Sequence, residues 1–355
     1  MTAIVLVPAL LGCRGGGSPR EPEDARRTKA ELHELAKERV LSGMLARADD
    51  WVYTVDLALL MIYSAREGDL ELYEKLASFA EDHLVIDSPE DPYTRGFVLW
   101  RYREGVPPDA SGTTEALRLA EGLWRGGIAF DRAFDRDRAR LILDGYARHQ
   151  AEEQGVWLIR NYFNLGTRSF ATNSFLVDYA PDFVAEVAEA TGNADLREVA
   201  EKSYALIESA QTPVGLLYDI VQPEVATLLD DERMVVFSPN DAVQISNAAT
   251  VAAASVKGRP QVAKRVLEFC HRKMPYLKGT YYGRTGDVAR DKRPGIEAWA
   301  SLVRLAVELG REDALESFYP YLVSNAGRKW RIPQDAWLYV VAELLLGLQA
   351  VAPPK

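Results

Sequence analysis

The chain is short of the residues that most catalytic and structural metal sites use. It has two cysteines, Cys13 and Cys270, too few for a disulfide scaffold or a cysteine-rich zinc site. It has four histidines, His33, His83, His149 and His271, and all fall on segments that pattern as surface helices. A Ser-His-Asp triad, a His-ligated metal and a His general base are therefore not expected, and no cofactor is expected either. Basic residues are outnumbered and the net charge is −10, which argues against a nucleic-acid partner, since binding a phosphate backbone needs a basic face. No apolar run is long enough to span a bilayer, and no glycine-rich loop has the spacing that cradles phosphate. No polar linker divides the chain after residue 25, which reads as one closed domain over residues 21–355.

What the chain has is an alternation between two kinds of helix. Charged, amphipathic segments are predicted over Asp69–Leu84, Asp135–Glu153, Asp195–Ala210, Pro260–Met274 and Glu312–Ser324. Between them lie segments apolar on most faces, over Val52–Ala65, Thr114–Arg125, Asn240–Val256, Pro294–Leu309 and Asp335–Leu348. A helix with one apolar stripe lies on a surface, and one apolar nearly all round is surrounded by protein. Strict outer–inner alternation is the pattern of an all-α toroid, the (α/α)6 or six-hairpin barrel. Its inner helices run the same way, so their N-termini share one mouth. Trp157–Phe163 and Thr280–Gly283 are predicted to add short β-hairpins there.

Carboxylates cluster at that mouth. The inner segments open on Tyr53–Asp56, Gly112–Glu115, Ala171–Ser174, Ser238–Asp241, Pro294–Glu297 and Pro333–Asp335. Each opening taken alone reads as helix capping, since Ser, Thr, Asp and Asn satisfy free N–H groups and acids favour the helix dipole. Several acids converging on one cavity go beyond capping. With histidine and cysteine absent from the mouth, carboxylates are the candidates for proton transfer, and glycoside hydrolysis needs two of them. An acidic run, Asp230-Asp231-Glu232-Arg233, weakly resembles a metal-binding terpene-cyclase motif but has no second motif to pair with.

Residue order then resembles glycoside hydrolase family 8, the inverting β-glucanase, chitosanase and xylanase family, from Asp50 onward. The segment Asp109-Ala110-Ser111-Gly112-Thr113-Thr114 stands where that family has Ala-Ser-Asp-Ala-Asp. Asn173 to Pro181 resembles its Asn-Pro-Ser-Tyr segment, and Leu216-Leu217-Tyr218-Asp219 its Gly-Leu-x-Pro-Asp loop. Asn240-Asp241-Ala242-Val243-Gln244 resembles Tyr-Asp-Ala-x-Arg, where the family keeps its general base. The Ser-Glu-Gly acid motif is missing, and the family's substrate-binding Asp aligns with Gly112. The resemblance implies Asp241 as base; Asp56 or Glu115, acids at the helix openings, would then serve as the acid. Polysaccharide or oligosaccharide would be bound by Trp100, Tyr102, Asp109, Asn173, Tyr218, Asp219, Asn240, Tyr281, Tyr282, Glu297, Trp299 and Asp335.

The N-terminus reads as a processing segment. Ile4–Leu11 is a short apolar run, and Leu10-Leu11-Gly12-Cys13 resembles a bacterial lipoprotein signal with Cys13 as the lipidated residue. Residues 1–20 would then be signal and tether, holding a monomeric domain on the bacterial cell envelope. The expectation is an envelope-anchored polysaccharide-acting protein that hydrolyses with inversion. The alternatives are a glycan-binding protein without catalysis and a scaffold lipoprotein in polysaccharide export.

Overall fold

A computed structural model describes residues 23–223, 235–328 and 332–354. Cys13 and the acidic run at 230–233 lie outside the described residues. Among the described residues, twelve α-helices follow one another in chain order: α1 Glu23–Leu41, α2 Thr54–Glu67, α3 Leu70–His83, α4 Thr113–Ala129, α5 Ala133–Ala147 and α6 Pro181–Thr191, then α7 Ala194–Ser209, α8 Ile245–Ala253, α9 Pro260–Arg272, α10 Ile296–Glu308, α11 Glu312–Ala326 and α12 Trp337–Val351. The even-numbered helices form the inner ring and the odd-numbered ones the outer ring. The protein is an (α/α)6 toroid.

Local chemistry makes the hairpins. The α2–α3 turn is Gly68 in the left-handed region at φ 82°, followed by Asp69, whose side chain accepts from Leu72 N–H at 3.1 Å. Gly192 and Asn193 repeat this between α6 and α7. Each inner helix packs on the outer helix that follows it, and α12 packs on α1, which makes the sixth hairpin from the two ends of the fold. Around the ring α2 touches α4 and α12, and α10 touches α8 and α12. Asp182 N–H donates to Ala254 O at 3.2 Å and joins α6 to the end of α8.

The core is continuous and is densest along the inner ring. In α2 every residue from Leu57 to Ala65 is buried, as the all-round apolar pattern requires. Small residues let the inner helices approach closely. A Cβ on Gly122 of α4 would stand 2.9 Å from the Met61 Cβ of α2, and one on Gly347 of α12 would stand 3.0 Å from Ala300 of α10.

Short strands lie at the N-terminal end of the inner ring. Strand β1, Val52–Tyr53, runs directly into α2 and pairs with β2, Arg101–Tyr102. Strand β3, Ala110–Gly112, runs into α4. Strands β4, Gln150–Glu153, and β5, Val156–Ile159, form a hairpin. Strands β6, Tyr162–Asn164, and β7, Ser169–Phe170, extend β3. Strands β8, Ser174–Phe175, β9, Ile220–Val221, and β10, Val236–Phe237, form a second sheet. Strand β11, Ala242–Gln244, runs into α8 and pairs with β12, Thr280–Tyr282, which pairs with β13, Val288–Arg290.

Two inner helices begin later than their sequence pattern suggests. The opening at Ala171–Ser174 is part of a strand region, and a 3-10 turn over Leu176–Asp178 precedes α6 at Pro181. Helix α8 begins at Ile245, not at Asn240. Asn240 and Asp241 have φ 56° and 59°, left-handed values through which a right-handed helix cannot run.

Candidate functional site

The N-termini of the inner helices enclose a cavity of about 290 Å³ at the mouth. Helix α2 supplies Val55 and Leu59, α4 supplies Thr114 and Arg118, and the 3-10 turn before α6 supplies Val177. Gln244, Ser246, Asn247 and Thr250 come from the start of α8, Glu297 from α10, and Tyr339 and Glu343 from α12. The walls combine a small apolar patch with hydroxyls, amides, two carboxylates and Arg118, a lining that can hydrogen-bond a polar ligand such as a sugar.

The carboxylates around the mouth divide by environment: Glu297 and Glu343 line the cavity, and Glu115 and Asp241 do not. Glu297 bends back over Gly295, where a Cβ would stand 2.1 Å from its Oε1. Burial pushes its pKa up, and the nearby charge of Glu343 adds to the shift. Glu343 is buried and pairs with Arg304 at 2.6 Å. Glu115 repeats the arrangement on α4, its Oε2 lying 2.0 Å from where a Cβ on Gly112 would stand. Burial raises Glu115 to about 7, with the charge of Asp56 adding to the shift. The position that stands against an Asp in the family whose motifs the sequence resembles is thus a glycine, and the carboxylate of Glu115 fills the space.

Asp178 is a further acid beside Glu115. It is fully buried, accepts from the Thr114 hydroxyl and from Phe175 N–H at 2.9 Å, and burial raises it to about 7. Asp219 lies behind the cavity wall. It accepts from Ser238 Oγ at 3.1 Å and from Asn247 Nδ2 at 3.3 Å, and burial raises it to about 6. Asp241 stands in the turn before β11, not on a helix. Its Oδ1 accepts from the Tyr218 hydroxyl at 3.1 Å, and its Oδ2 accepts from Arg284 N–H at 3.0 Å. Asn240 beside it is exposed.

Other sequence-derived candidates stand elsewhere. Asp56 is fully buried and forked by Arg47, with Nε to Oδ2 at 2.8 Å and Nη2 to Oδ1 at 2.6 Å. A carboxylate held this way is out of reach of a substrate oxygen, and it is Val55 that faces the cavity. Tyr281 is 1% exposed and packs edge-on against Phe269, so it is a core residue. Trp299 is 3% exposed and stacks on Tyr321 of α11, away from the axis. Asp335 is exposed in a 3-10 turn ahead of α12 and does not line the cavity. Tyr102 stacks on His83 and lines a separate groove of about 230 Å³ with Trp51 and Pro108. Trp100 Nε1 donates to Asp109 at 2.7 Å, and Arg101 lies between the Trp51 and Trp100 rings. Asn173 is partly buried before β8, and its backbone carbonyl accepts from Asn161 N–H at 2.9 Å. Tyr282 is 40% exposed on β12.

Arg118, Asp178, Asn247 and Glu343 are the site residues that sequence reasoning missed. Glu343 did carry a signal, as the lone charge inside the apolar run of α12. Among the described residues, no group of three or more His, Cys, Asp or Glu is placed to hold a metal ion.

No family model matches the chain, and no curated protein matches it by sequence. Solved structures do match in fold. An endo-beta-1,4-glucanase CMCax from Acetobacter xylinum superposes with a TM-score of 0.66 at 15% identity, over 93% of this chain and 98% of that one. A GH8 xylobiose complex from Teredinibacter turnerae gives 0.65 at 14% identity over 94% of each chain. An alpha-amylase from Clostridium perfringens gives 0.66 at 16% identity, over 84% of this chain and 86% of that one. At such identity the likeness is one of fold, and the fold is that of family 8 and related six-hairpin glycosidases.

Proposed function

We propose that this protein hydrolyses a polysaccharide at the mouth of its toroid, with inversion at the anomeric carbon. The observation that carries the reading is Glu115, a carboxyl seated over Gly112 on the first turn of an inner helix and raised to about 7. Such a group keeps its proton in about half of the molecules at neutral pH and can deliver it to a leaving glycosidic oxygen. Asp241, held as an acceptor by Tyr218 and Arg284, takes the proton of the attacking water. One water is consumed, the glycosidic C–O bond breaks and a C–O bond to water forms on the opposite face. Inversion calls for a separation of about 6.5–9.5 Å between the two carboxyls, which leaves room for that water. The polar cavity and the glucanase and xylanase fold neighbours support a glycan as substrate.

Screening β-glucans, xylan, chitosan and bacterial exopolysaccharides for released reducing ends tests the reading. Turnover is expected to fall by roughly 10²-fold or more in Glu115→Gln and in Asp241→Asn. In the wild type kcat/KM should decline as pH rises through about 7, as Glu115 loses its proton. Full turnover in either variant would refute the assignment. A second reading, glycan binding without hydrolysis, is favoured by one observation: the acid on α2 is locked by Arg47, and an apolar Val55 faces the cavity instead. Binding without turnover by the wild type would select it.

The Leu-Leu-Gly-Cys tetrad supports a lipid anchor on Cys13 that holds the protein on a bacterial envelope. Fatty-acid labelling in a bacterial host should be lost in Cys13→Ala. Equal labelling of both forms would dismiss the anchor and leave the toroid's chemistry untouched.

A further inference from the structure

The basic residues of this acidic chain are not spread evenly. Residues 264–293 hold nine lysines and arginines against three acids, in a chain whose net charge is −10. This stretch builds most of α9 and the β12–β13 hairpin, and between the two lies a groove of about 420 Å³. Arg265, Glu268, Arg272 and Lys273 line it from the side of α9, and Thr285 and Gly286 from the hairpin turn.

The groove is net positive, and its cations are not spent on acids. Arg265 donates to Gln211 Oε1 at 2.9 Å and to Pro213 O at 3.2 Å, both neutral acceptors. Lys273 donates to Gly286 O at 3.1 Å and stands over the Phe269 ring, 5.3 Å from its centre. Arg272 is exposed, and among the described residues no carboxylate pairs with it, with Arg265 or with Lys273. Glu268, the one acid on the lining, lies instead 3.8 Å from Arg311 and 4.0 Å from Lys264. Asp287 stands on the same turn but outside the lining.

Structural roles do not account for the set. A cation in the last turn of a helix favours its dipole, which covers Arg272 but not Arg265 in the middle of α9. Arg290 can guard the edge strand β13 against pairing. Lys292 and Arg293 lie past that strand and just ahead of α10, where the helix dipole favours acids.

The groove also adjoins the proposed base. The turn that supplies Thr285 and Gly286 reaches Asp241, with Gly283 N–H donating to Asp241 O at 2.8 Å and Arg284 N–H to its Oδ2 at 3.0 Å.

We propose that this groove holds an acidic stretch of the glycan, so that the polysaccharide cut at the mouth is an anionic one, bearing carboxylates or sulfate or phosphate esters. The proposal rests on the hydrolysis argued above for the place of cutting. Guanidiniums bind such groups through charge-assisted, often bidentate bonds. A nucleic acid has comparable charge, but the turn shared with Asp241 favours a glycan.

The test is binding without turnover, by calorimetry of the whole protein against polygalacturonate, dextran sulfate and neutral dextran. One or both acidic polymers should bind and dextran should not, and the affinity should fall as salt is raised. Binding of polygalacturonate alone would make the recognised group a carboxylate, and binding of dextran sulfate alone an ester of the sulfate type. Arg265→Gln combined with Arg272→Gln should weaken binding by roughly tenfold. Both side chains are exposed, and thermal unfolding checks that the fold is kept. Arg272→Gln alone, which breaks no bond among the described residues, should weaken it by roughly threefold. Binding of an acidic polymer by a protein that cuts no glycan would uphold the groove and place the fault in the hydrolysis. Cutting of neutral glycans with no binding of either acidic polymer would overturn the groove and leave the hydrolysis standing. Equal binding of dextran, undiminished binding in the double variant, or single-stranded DNA bound as tightly as the acidic polymers and lost in the same variant would also overturn the proposal.

Discussion

Two glycines and two glutamates show how single side chains shape the mouth. Gly112 and Gly295 each precede an inner helix by one residue, and each leaves room for a glutamate carboxylate from that helix's first turn. The acids were visible in the sequence, and so was their place near a helix start. Their orientation was not, because it depends on the missing Cβ of a residue two or three positions upstream. Asp56 shows the reverse. Its position on α2 suggests a cavity acid, but Arg47, nine residues earlier on a loop, turns it into a buried ion pair. Asp178 carries a pH signature that can be measured. Its folded pKa is about 7 against an ordinary 3.8, so the folded state binds more protons between these values. Stability contributed by the protonated form is present below about pH 4 and lost as pH rises through about 7. Denaturation across this window should show stability falling with pH in the wild type, and a clearly shallower fall in Asp178→Asn. Identical slopes would mean that Asp178 titrates normally.

Among the secondary-structure elements, the outer–inner alternation could be read directly, because helical amphipathicity reports how much of each helix meets solvent. The ends of α6 and α8 could not. Left-handed Asn240 and Asp241 and the 3-10 turn at Leu176–Asp178 are set by strands arriving from distant parts of the chain, among them β12 on β11 and β9 on β8. Aromatic residues misled for a related reason. Tyr281 and Trp299 sit near helix starts as a cleft residue would, but strand and helix geometry turns both into the core. Helix contact makes a sharper test of the ring. Gly122→Ala would gain about 1 kcal/mol of helix propensity. It would also drive a Cβ to within 2.9 Å of Met61 on α2. Overpacking at a close crossing costs about 1–3 kcal/mol, so the variant should be less stable by urea denaturation. A stabilised variant would show that α2 and α4 are not in close contact there.

The toroid as a closed ring depends on a seam between its first and last helices. Lys29 of α1 donates to both carboxylate oxygens of Glu67 at 2.9 and 3.0 Å and to Ala352 O at 2.9 Å, and Gln349 donates to the same carboxylate at 2.9 Å. No local sequence pattern announces this contact, since 323 residues separate Lys29 from Ala352. Lys29→Met should cost roughly 2 kcal/mol, because it strips charge-assisted bonds from a largely buried carboxylate. A change within about 0.5 kcal/mol, the range of ordinary surface substitutions, would place the closure elsewhere. Closing the ring is what brings the starts of α2, α4, α8, α10 and α12 to one mouth, and the functional reading rests on that convergence. It is tested most directly by proton NMR of the anomer first released when the wild-type protein digests a β-linked glycan that it cleaves. Glu115 and Asp241 acting across the mouth should release the α-anomer first, with the β-anomer appearing only by mutarotation. Release of the β-anomer first, or no cleavage of any glycan offered, would contradict inverting hydrolysis by this pair.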